Sequence, residues 1–102
     1  DLSKVTEAWP LIRYLMDDPI YKSKYVKNIE QISKTSFNIS KTKDRYQKAH
    51  DLIKPYVIGN DGEQDGYTLL QNKDDFEKAF QELNVHLEYR HRVAKSYLEA
   101  NK

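Results

Sequence analysis

The chain has 102 residues, of which 38% are hydrophobic and 32% charged, with a formal net charge of +1, which suits one small domain with a modest core and strongly two-faced helices. The absence of Cys excludes disulfides, thiol chemistry and cysteine-ligated zinc. Three Gly and three Pro are too few for an all-β design rich in tight turns, no run approaches the roughly 18 apolar residues of a membrane span, and no signal-peptide pattern is present.

Residues 1–8 read as a lead-in or linker, and residues 9–100 as a single helical domain. A chain that opens at Asp1 without Met is expected to be a piece of a longer protein. Trp9-Pro10 starts a short first helix, because proline at the first helical position gives up an N–H that has no intrahelical partner there. Leu11, Ile12, Leu15 and Met16 form its apolar face, and Pro19 disfavours helical geometry at Asp18, so the helix should stop near Asp17.

Asp18-Pro19 is the cleanest start signal in the chain, an acidic N-cap followed by proline. The second helix then runs to about Thr35 with Tyr21, Tyr25, Val26, Ile29 and Ile32 as its apolar members. Lys24, Lys27, Gln31 and Lys34 occupy the opposite face, which reads as a solvated surface. Asn38 or Ser40 caps a third helix that should reach about Lys54, burying Ile39, Tyr46, Ala49, Ile53 and Tyr56, and breaking up at Pro55.

Residues 57–73 form one long irregular loop, with turn signals at Asn60-Asp61-Gly62 and Asp65-Gly66. A short hairpin between Val57-Ile58 and Tyr67-Leu70 is the ordered alternative. Asp74 opens the last helix, with Glu77 completing a capping box. Its stripe comprises Phe76, Ala79, Phe80, Leu83, Leu87, Ala94, Tyr97 and Leu98. Arg90 falls in the middle of that stripe, where a buried charge needs a partner. It is read as an internal clamp, and Arg90→Ala is then expected to destabilise the domain by a few kcal/mol. The fold class expected is all-α, a small antiparallel bundle of three to four helices.

Charge is unevenly spread. Lys22 to Lys54 holds nine basic against three acidic residues, and Asp61 to Glu82 holds seven acidic against two basic. That pattern reads as solvated helix faces beside an acidic loop, without the base-stacking or groove-reading residues of a nucleic-acid binder. Asp61, Glu63, Asp65 and Gly66 resemble the first half of a calcium loop, but the position of its closing bidentate Glu is Asn72. His50, His86 and His91 do not share a ligand-set spacing and read as helix-edge residues. No Gly-rich phosphate loop, HExxH or GxSxG occurs. No catalytic residue, cofactor site or metal site is therefore assigned to this segment.

In order and spacing, Pro10-Leu11-Ile12, Leu15, Asp18-Pro19-x-Tyr21 with Tyr25, Phe37-Asn38, Ile53-x-Pro55-Tyr56-Val57, Asp61, Phe76 and Leu87-x-x-Arg90 resemble the C-terminal region of the spore coat protein H (CotH) kinase-like family. The acidic loop from Gly62 to Gly66 departs from the family pattern. The resemblance implies an atypical ATP- and metal-dependent protein kinase as the parent, found in spore coats or on exported and cell-surface proteins. The family's nucleotide and metal motifs lie upstream of the matched region, so it implies a non-catalytic helical tail whose partner is the kinase-like domain of the same chain. A free-standing protein-interaction module and a calcium-binding helix-loop-helix unit are the alternatives. The structural or interaction candidates are Arg90, Trp9, Asp18, Pro19, Tyr21 and Asp74.

Overall fold

Four helices follow from four start signals. The computed structural model describes residues 5–60, 62 and 70–101, and contains α1 (Pro10–Asp17), α2 (Pro19–Lys34), α3 (Ile39–Val57) and α4 (Lys73–Ala100). The molecule is all-helical, with no strand among the described residues. Pro10 and Pro19 both stand at the first position of their helices. The Asp18 carboxylate accepts hydrogen bonds from the backbone N–H groups of Ile20 at 2.8 Å and Tyr21 at 3.2 Å, so it satisfies two donors that α2 cannot. At the far end of α2 the Phe37 N–H returns to the Ile32 carbonyl at 2.8 Å, the closing bond of a Schellman-type turn. Asn38, one of the two caps expected, then accepts from the Lys41 N–H at 3.1 Å and starts α3.

Two boundaries differ from the sequence reading. α3 continues through Pro55 to Val57. A proline so close to the C-terminus removes one intrahelical bond where few remain, and the turn survives it. The chain then leaves the helix at Gly59, where an added Cβ would lie 2.1 Å from the Pro55 carbonyl oxygen, so any larger residue would force the exit apart. α4 is capped two residues earlier than expected: Asn72 accepts from the Asp75 N–H at 3.1 Å, and the Asp75 carboxylate accepts from the Asn72 N–H at 3.3 Å. The capping box is thus Asn72/Asp75, and Asp74 is a first-turn residue. Val57 is helical and Ile58 is its C-cap, so the N-terminal strand of the hairpin alternative does not form. Its remaining strand residues Tyr67, Thr68 and Leu69, and the calcium-loop residues Asp61, Glu63, Asp65 and Gly66, lie outside the described residues.

α4 is the shared element. At 28 residues it is about 42 Å long, and both α2 and α3 pack on it without packing on each other. Lys43 pairs with Glu88, and Lys54 with Glu77, so α3 runs antiparallel to the N-terminal half of α4. Phe37 meets His91 and Tyr25 meets Tyr97, so α2 runs antiparallel to the C-terminal half. The two shorter helices therefore lie one after the other along one long helix, and α1 packs on α2, its Arg13, Met16 and Asp17 bordering a groove shared with Tyr97 and Asn101 at the end of α4.

The antiparallel helices form an open array. Its extents are 57 × 31 × 16 Å and its radius of gyration is 19.1 Å, against about 13 Å for a compact chain of this length. A thickness of 16 Å is little more than one helix with its side chains. Leu87, 2% exposed, is the only buried hydrophobic residue among those described. It lies at the junction where Ile29 and Ile32 of α2, Phe37 of the connection and Tyr46 of α3 converge on α4.

Candidate functional site

α3 and α4 meet through an aromatic sandwich. His50 is 8% exposed, and its ring lies 4.5 Å from Phe76 and 4.3 Å from Phe80, at interplanar angles of 17° and 33°. Its Nε2 is 3.3 Å from the Glu77 carboxylate, which also takes the Lys54 ammonium, and its Nδ1 is 3.4 Å from Asp51. The Lys54 hydrogen bond holds the Glu77 carboxyl below the usual range, burial opposes it, and the charges of Lys54 and His50 reinforce it. The Lys43 ammonium does the same for Glu88. This arrangement corrects the reading of His50 as an edge residue. It also turns the apolar stripe of α3: Tyr46, His50 and Val57 point inward, whereas Ala49 is exposed and Tyr56 is 72% exposed. The spacing 46, 50, 53, 57 is itself a helical stripe, so the signal was present; it was obscured because His was not counted among the apolar positions.

The sequence-derived candidates do not converge on one site. Trp9 is exposed at the N-terminus of α1 and makes no side-chain cap. Asp18 and Pro19 start α2, and Tyr21 is exposed on its first turns with the Lys24 ammonium 5.7 Å from its ring centre. Asp74 lies on the first turn of α4, at the opposite end of the molecule from the α2–α4 aromatic contact.

Arg90 is exposed, and no carboxylate among the described residues lies within ion-pair distance of it. The expectation of a buried clamp is therefore replaced by a different position. Arg90 borders two grooves, one of about 290 Å³ along the α2–α4 seam and one of about 410 Å³ at the junction of α2, α3 and α4. The stripe of α4 stays half open there because no second layer of helices covers it.

A flat array has two broad faces, and these differ in chemistry. On a helical wheel of roughly 100° per residue, Lys43, Lys54, Glu77 and Glu88 all fall to one side of the α3–α4 contact line. The groove between Val26, Glu30, Lys34, Lys95 and Glu99 continues that side along α2. Tyr46, Ile53, Leu83 and Arg90 fall to the other side, together with Ile29, Ile32 and Tyr97. Ile32, Ile53 and Leu83 are 51%, 46% and 42% exposed. The Tyr97 hydroxyl on this side is shielded from solvent and has no hydrogen-bond partner among the described residues, and burial pushes its pKa up. Among the described residues, neither groove that Arg90 borders has an Asp or Glu in its wall.

No helix of the described residues is long and apolar enough to cross a membrane. No curated protein and no solved structure matches the chain. The family model described as CotH kinase protein matches residues 1–94, a span that includes α1, α2, α3 and most of α4. On that match, the chain belongs to the CotH kinase protein family.

Proposed function

We propose that this chain is a non-catalytic helical C-terminal segment of a CotH protein, one that packs on, or completes, a kinase-like domain lying upstream in the same polypeptide. The observation that carries this reading is the single layer of helices around one buried apolar residue. Domains are ordinarily built from at least two layers that bury a shared core. A layer with Ile32, Ile53, Leu83 and Tyr56 left open has the character of half an interface. The parent would carry out ATP-dependent protein phosphorylation, on spore coats or at the cell surface, and this segment would supply no ligand to the nucleotide or metal.

Hydrogen exchange tests the reading. The segment is compared alone and within the full gene product that encodes it. Protection across α2, α3 and α4 should rise by at least tenfold in the full product; equal protection in both sinks the proposal. Calorimetry of the segment with ATP should give no saturable heat, and micromolar binding would contradict a non-catalytic role.

A further inference from the structure

The open face bordered by Arg90 has the more specific consequence. Among the described residues, Arg90 is the only fixed charge on the walls of the two grooves it borders, with His86 one turn before it. Around it lie Val5, Ile29, Ile32, Tyr46 and Tyr97, and the wall holds no acid among the described residues. On the opposite face Lys43 is matched by Glu88, Lys54 by Glu77 and Lys34 by Glu30. One face thus has its interhelical ion pairs already made, and the other presents apolar side chains around a guanidinium with no carboxylate partner among the described residues.

We infer that the Arg90 face is the docking face of this segment, and that its occupant is an apolar surface of the upstream domain carrying one carboxylate that pairs with Arg90. The inference rests on the accessory-segment reading and adds the face and the contact to it. A planar guanidinium suits this role, because its fixed fork of donors takes a carboxylate in two parallel hydrogen bonds. The size is right too: one broad side of a body 57 × 31 Å exceeds the roughly 800 Å² per partner that a stable interface buries.

A second copy of the chain does not fit this face. Two-fold pairing sets the same patch against itself, and a patch whose groove walls, among the described residues, hold Arg90 and no acid would draw two guanidiniums out of water without a counter-charge. The charged face is the poorer candidate for burial, since docking there would desolvate ion pairs that are already satisfied.

Site-specific photo-crosslinking in the full gene product tests this. The photoreactive residue p-benzoylphenylalanine replaces Ile32 or Leu83 on the Arg90 face, and Gln47 or Lys95 on the charged face. The first pair should crosslink to sequence outside residues 1–102 of the same polypeptide, and the second pair should not. Arg90→Glu should lower that crosslink yield roughly tenfold or more, and Arg90→Lys, which keeps the charge but loses the fork, should lower it by less. Crosslinks to the upstream domain from Gln47 or Lys95 alone would leave the accessory reading standing and overturn the choice of face. Unchanged yield with Arg90→Glu would overturn the carboxylate contact. Crosslinks between two copies from Ile32 or Leu83, or none from either face, would overturn both readings.

Discussion

Arg90 shows how a residue can be anomalous in a pattern and still cost the isolated chain nothing. Exposed and without a carboxylate partner among the described residues, it has no buried charge to strand. Arg90→Ala in the 102-residue chain should therefore move stability by no more than about 0.5 kcal/mol, which thermal melting can check; a loss of several kcal/mol would restore the clamp. Glu77 should behave in the opposite way. Its folded-state pKa is depressed chiefly by the Lys54 hydrogen bond, so its contribution is present above the ordinary glutamate pKa and lost as pH falls through the folded value. Melting temperatures of the native chain and Glu77→Gln should differ at neutral pH and converge in acid; a constant difference would mean that the Lys54 pairing does not matter. The oddity at Arg90 was legible in the sequence, but its environment was not. Periodicity identifies the side of a helix that is apolar, and does not say whether another layer covers it. His50 was missed for a related reason: a titratable ring becomes core material only once Phe76 and Phe80 stack on it, and those residues lie more than 25 positions away.

At the level of the helices, local chemistry carried most of the information. Asp18-Pro19 and Asn38 cap where the sequence places a cap, because an N-cap is settled by three or four neighbouring residues. The start of α4 is the exception that shows the limit. Asn72, Asp74 and Asp75 all offer suitable oxygens within four residues, and the reciprocal bond between Asn72 and Asp75 selects the earlier register. Asn72→Ala should then cost about 1 kcal/mol and Asp74→Ala no more than about 0.5 kcal/mol. Comparable losses from the two substitutions, measured by denaturant unfolding, would put the cap back at Asp74. The interhelical ion pairs contribute less than their number suggests. Lys43 and Glu88 are both substantially exposed, and such pairs are worth about 0–1 kcal/mol; they set the register of α3 on α4 more than they hold it there.

The whole molecule exposes 8583 Å², whereas a compact 12.1 kDa protein exposes roughly 6,000 Å². X-ray scattering of the free chain should give a radius of gyration near the 19.1 Å of the array, and its urea unfolding slope should fall at or below about 1 kcal/mol/M, the low end for small proteins. A radius near 13 Å would mean that the helices fold into a closed bundle in solution. The all-helical, antiparallel character was readable from four start signals and short connections. The missing second layer was not, since each helix has an apolar face whether or not a neighbour covers it. One consequence follows from the way α2 and α3 share α4. They are two arms on a common splint, joined by the short turn at residues 35–38 and touching the same beam but not each other. The angle between the arms is therefore governed by how Leu87 seats at their junction, and a surface that gripped both arms at once would set that angle from outside.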